Sequence, residues 1–163
     1  MADLLTHVLV AYALLTAASW RVGWLGPRWV AVGMGGAAVP DLLKVERVVD
    51  ESVVEGVLGV PFEYAPISSL GGLVVLAGVV ALLFGERRRR VYGLLVVGGA
   101  ASLVLDGLRV FVDGHAGFWL YPLWWRPPTP SLYVTSDPRV LLAALAVSGA
   151  VFVVDRRRRQ RRA

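Results

Sequence analysis

His7, Asp41 and Asp106 are the residues of this chain best suited to chemistry, because each is ionisable and lies within or at the end of an apolar stretch. An aspartate at the centre of a membrane helix costs about 2.5–3.5 kcal/mol on insertion scales, so such residues tend to be functional. Spacing adds two neighbours. Asp3 precedes His7 by four residues, and Ser102 precedes Asp106 by four, which puts each pair on one helix face. Carboxylates and an imidazole are ligands for zinc, manganese or magnesium. A water on such an ion, its pKa lowered toward 7, is a nucleophile for hydrolysis. Asp3 and His115 are candidate additional ligands. The plainer alternative is that these groups hydrogen-bond across helices and hold them together.

The elements that must position them are apolar segments at 4–20, 29–43, 67–85, 91–105 and 139–154. A mean hydropathy of +0.63 with 56% hydrophobic residues exceeds the usual composition of a soluble domain. Crossing the hydrocarbon takes roughly 20 residues, so the first and third segments suffice and the others must recruit their flanks. Arginine punctuates the segments on one side only: Arg21 and Arg28, then Arg87–Arg90, then Arg156–Arg159 with Arg161 and Arg162. Five alternating crossings place these groups on one face, with the N-terminus outside and the C-terminus cytoplasmic. Ten of the twelve acids, and both histidines, then fall outside. The expected class is an all-α, polytopic membrane bundle: one domain over 1–155, with a basic tail at 156–163.

The net charge of +5 is thus juxtamembrane arginine, which implies anionic lipid headgroups as partners and no nucleic acid. With no cysteine, disulfides and thiolate ligands are excluded. The first segment lacks a basic n-region and a small-residue cleavage site, so it is expected to be a retained helix.

Around the segments, glycine and alanine at Gly33, Gly35, Gly36, Gly98 and Gly99 make the second and fourth the expected centre of the bundle. Val45, Val48, Val49, Val53 and Val57 recur at helical spacing, which predicts a surface amphipathic helix over 44–58, ended by Gly59 and Pro61 and able to act as a lid. The outer loop 107–138 is long, but its aromatics argue for order, and Ser136-Asp137-Pro138 should start the last helix.

The stretches Ala2-Asp3-Leu4-Leu5-Thr6-His7, Pro40-Asp41-Leu42, Pro61-Phe62, Pro66-Ile67-Ser68-Ser69-Leu70-Gly71-Gly72, Ser102-Leu103-Val104-Leu105-Asp106 and Tyr133-Val134-Thr135-Ser136-Asp137 occur in an order that resembles the membrane-bound metal-dependent hydrolases, in their haloarchaeal form. The resemblance covers nearly the whole chain. It implies a phosphoester or lipid-derived substrate cleaved at the outer membrane face, and a metal site to which His7, Asp41 and Asp106 correspond. Two expected histidines are replaced, by Ser68 and Ser102. A hydroxyl is a poor substitute for an imidazole ligand. The double replacement keeps a second expectation open: a catalytically inactive relative that acts as a membrane scaffold or interaction protein. Transport is a weaker reading, since neither an inverted repeat nor paired discontinuous segments are found.

Overall fold

The computed structural model describes residues 4–134 and 137–161. Asp3, Thr135, Ser136 and Arg162, all singled out above, lie outside the described residues. The fold is helical, with α1 Leu4–Ser19, α2 Pro27–Ala37, α3 Glu51–Leu58, α4 Leu70–Leu82, α5 Arg88–Gly107 and α6 Pro138–Gln160. Short 3-10 turns occupy Pro40–Arg47, Ala65–Ser68 and Gly85–Arg87. Among the described residues there is no strand, only two isolated bridges in the long loop.

The five apolar segments all become helix, at unequal lengths. Two stretches, Gly85–Gly107 and Pro138–Gln160, are long and apolar enough to cross a membrane. The others, α1, α2 and α4, have 16, 11 and 13 residues. At 1.5 Å per residue the shortest of them rises only about 17 Å. The expected second span, 29–43, is therefore not one helix. Pro40 lacks the N–H needed to continue the ladder, and the Gly36 carbonyl instead accepts from Ala38 and Val39. The chain then tightens into the 3-10 turn that carries Asp41.

The centre of the bundle is where the small residues placed it. A Cβ on Gly98 would enter the backbone of Gly33, and one on Gly36 would lie 2.6 Å from Leu95 Cα. Helices α2 and α5 thus meet backbone to backbone. Gly35 and Gly93 take no part, since a Cβ there meets nothing within 4 Å. Leu15, Trp29, Val30, Ala77, Leu94 and Leu95 fill the core beside this contact. Helix α6 packs on α1, with Ser148 donating to the Leu9 carbonyl at 2.9 Å.

Three arginine groups far apart in sequence gather at one end. Arg90 lies over the rings of Trp24 and Trp29, Arg28 over Trp29, and Arg158 over Trp20 at 4.6 Å. His7, Asp41 and Asp106 gather at the other. The amphipathic expectation for 44–58 is corrected. Asp50 breaks the segment by capping Ser52 N at 2.9 Å, so a helix runs only from Glu51 to Leu58 and ends at Gly59 in a left-handed conformation. None of its residues is buried, and its side-chain bonds reach the segment that follows it, from Phe62 N to Glu55 and from Tyr64 N to Glu51.

The loop before α6 is ordered, as its aromatics suggested. Phe118 stacks on Trp125, Tyr121 meets Trp125 edge-on, and backbone bonds run from Leu70 to Trp119 and from Gly71 to Tyr121. Asp137 caps α6 by accepting from Arg139 N, with Pro138 in the first turn.

Candidate functional site

Three elements deliver the site. Helix α1 carries His7 in its first turns, the 3-10 turn after α2 carries Asp41, and the last turns of α5 carry Ser102 and Asp106. His7 is completely buried, as is Ser102, and Asp41 nearly so. Ser102 Oγ and His7 Nδ1 share a hydrogen bond of 2.7 Å. Asp41 Oδ2 stands 3.7 Å from Nδ1, and Asp106 Oδ1 stands 3.6 Å from Nε2. Residues separated by some hundred positions thus form one Asp–His–Asp cluster. Both carboxylates have an oxygen with no hydrogen-bond partner in the protein, and so does His7 Nε2.

Two cations join the cluster that were not singled out from the sequence. Lys44 Nζ lies 2.9 Å from Asp41 Oδ1, and Arg109 Nε lies 3.5 Å from Asp106 Oδ1 while donating to the Asp106 carbonyl at 3.1 Å. A signal for them was present: each aspartate is followed three residues later by a cation, in Asp41-Leu-Leu-Lys44 and Asp106-Gly-Leu-Arg109. Each carboxylate therefore brings its own countercharge on its own turn.

A cavity of about 140 Å³ adjoins the cluster, lined by Asp41, Ser68, Asp106, Arg109, Phe111 and Trp119 among others. Ser68, at one of the replaced histidine positions, reaches this cavity while bonding the Ala65 carbonyl at 3.1 Å. Ser102, at the other, sits behind the ring of His7. Trp119 packs over Gly107, where a Cβ would come within 2.6 Å of its ring, and its buried Nε1 has no partner in the protein. Tyr133 closes the α5 end by donating to the Leu105 carbonyl at 2.5 Å. Burial and the Asp106 carboxylate push the Tyr133 hydroxyl up to about 12, which keeps it a donor at any ordinary pH.

His115 is not brought in. It is exposed in the loop, where its Nδ1 lies 2.9 Å from the Asp113 carbonyl and its backbone N–H donates to the Asp113 carboxylate. Asp113 is itself paired with Arg126. Those two hydrogen-bond donors, the His115 N–H first, hold the Asp113 carboxyl below its ordinary range.

The metal expectation can be tested on the donors. A catalytic zinc centre takes three protein ligands converging on one point. Here the carboxylates approach different nitrogens of one imidazole, so the ring stands between them. Among the described residues no three His, Asp or Glu side chains form a metal-holding group. Lys44 and Arg109 already supply positive charge to the carboxylates. As placed, His7, Asp41 and Asp106 do not converge as three ligands on one point.

Fold and site define an all-helical protein in which a buried imidazole lies between two carboxylates, each with its own cation, beside a small cavity at one end. No protein-family model matches the chain, nor does any curated protein or solved structure.

Proposed function

We propose that this chain is a multi-pass integral membrane protein with the plan of the membrane-bound metal-dependent hydrolases, in a non-catalytic form. Its five apolar segments cross the bilayer in alternation, the second as α2 continued by the turn at Pro40–Arg47, with the cytoplasmic side marked by the arginines and the outer side by the His7 cluster. Support for the membrane comes from α6, where Leu142, Val147, Phe152 and Val153 are exposed and only 11% of its most apolar window is buried. A continuous apolar surface of that kind marks a membrane or protein contact.

The observation that carries the non-catalytic reading is that each carboxylate beside His7 has a cation of its own. Asp41 and Asp106 each hold a cation, and they flank the imidazole instead of sharing a coordination point with it. The cluster fastens α1, the turn after α2 and α5 together at the outer end. The cavity offers carboxylate acceptors, the Arg109 donor and an aromatic wall, the mixture that orients a small polar ligand.

Hydrolysis of a phosphoester or lipid-derived substrate is the second reading. What favours it is that Asp41, Ser68 and Asp106, three of the positions to which the resemblance points, line one cavity, with His7 and Ser102 buried behind the two carboxylates. Metal analysis of the detergent-solubilised protein separates the two. The non-catalytic reading expects far less than one zinc, manganese or magnesium per chain and an unfolding midpoint indifferent to chelator. Stoichiometric metal, lost on His7→Ala and restored by dialysis against the ion, would replace it with the hydrolase.

A further inference from the structure

The arginine end contains a second concavity, unrelated to the His7 cluster. A cleft of about 190 Å³ opens between the turn after α1 and the last turns of α6, with Trp20, Gly23, Gly26, Arg158 and Arg159 in its wall. It meets an apolar groove of about 480 Å³ between α1, α2 and α6, walled by Tyr12, Val30, Met34 and Phe152. Pro27, Asp155 and Arg159 border both, so the two form one channel with a basic mouth.

The mouth is organised. Asp155 accepts from Trp20 Nε1 at 3.2 Å through one oxygen and from Arg159 Nε at 2.7 Å through the other. Arg158 lies over the Trp20 ring at 4.6 Å. One carboxylate and one indole thereby fix two guanidinium groups at the head of an apolar slot. Arg156 and Arg157 add further charge, so the two carboxylates of this end, Glu86 and Asp155, leave it strongly cationic. Arginine recognises phosphate through paired N–H donors, and a neighbouring apolar groove of this length suits an acyl or isoprenoid chain.

We propose that this channel is a binding site for one anionic phospholipid, its phosphate held by Arg158 and Arg159 and one chain lying in the groove against Met34 and Phe152. It rests on the membrane reading but not on any assignment of the His7 cluster. A seat of this type gives the arginine end an individual lipid partner, beyond the general attraction of basic residues to an anionic leaflet.

The test uses the full chain in a neutral detergent, with its unfolding midpoint followed as lipid is added. Dioleoyl phosphatidylglycerol should raise the midpoint saturably, by several degrees. Dioleoyl phosphatidylcholine and glycerol 1-phosphate should each be at least tenfold less potent. Arg158→Ala with Arg159→Ala should weaken the phosphatidylglycerol response about tenfold, and Met34→Trp, which fills the groove, should weaken it without removing charge. Equal potency of phosphatidylcholine would overturn the site, as would equal potency of glycerol phosphate or an undiminished response in both variants. Retention of the protein in alkali-stripped membranes checks the membrane reading separately.

Discussion

Gly98→Leu is expected to abolish the folded bundle, leaving aggregated or proteolysed chain where the parent should give a single monodisperse species in detergent. The reason is the backbone contact between α2 and α5. A Cβ on Gly98 would stand 2.8 Å from the Gly33 carbonyl carbon and 3.1 Å from Ala37 N, with the carbonyl oxygen closer still. Backbone cannot swing aside as a side chain does, so the helices must separate and lose the packing of Leu94, Leu95 and Val30. Overpacking by even one methyl typically costs about 1–3 kcal/mol, and Leu adds far more volume. Gly93→Leu supplies the control, because a Cβ there meets nothing within 4 Å. Equal tolerance of the two would show that α2 and α5 do not meet as described.

The second large effect concerns charge. Asp41→Ala is expected to lower stability by about 2–3 kcal/mol, since it strips Lys44 of its partner in a largely buried setting. Lys44 is 28% exposed and can turn toward solvent, which keeps the loss below that of a fully buried pair. Lys44→Ala alone should cost less. The double variant should cost less than the sum of the two, by a coupling of about 1–2 kcal/mol, measured by reversible unfolding in detergent. Strict additivity would mean that the Asp41–Lys44 pair does not contribute to stability, and the paired-charge reading of the cluster would go with it.

Much of this organisation was legible in the residues. Apolar runs bounded by arginine marked where five helices would lie and which ends would meet, and the tryptophan–arginine contacts among Trp20, Trp24, Trp29, Arg90 and Arg158 join those ends. Costly polar residues in apolar surroundings identified His7, Asp41 and Asp106, which the fold brings together. Helix lengths were less legible. Hydropathy continues through Leu42 and Leu43, yet Pro40 stops the α-helical ladder at a point that composition does not register.

The amphipathic segment is a surface helix over only part of its expected length, for a similar reason. A valine period of helical spacing runs across Asp50, but the carboxylate serves the backbone better as a cap than as one polar face of a longer helix. Lys44 and Arg109 went unnoticed because a cation three residues after an aspartate is ordinary on a helix surface. Only the approach of both carboxylates to one buried imidazole makes the repetition meaningful. The loop between α5 and α6 could be read as ordered but not as a wall of the cavity, since its partners at α4 are more than forty residues away.

The chain has no native cysteine, so single cysteines can report sidedness directly. Ala2→Cys and Val112→Cys should react with a membrane-impermeant maleimide in intact cells, while Arg161→Cys should react only after permeabilisation. Labelling that puts residues 2 and 161 in one compartment would contradict an odd number of crossings and dissolve the outer rim on which the His7 cluster is placed.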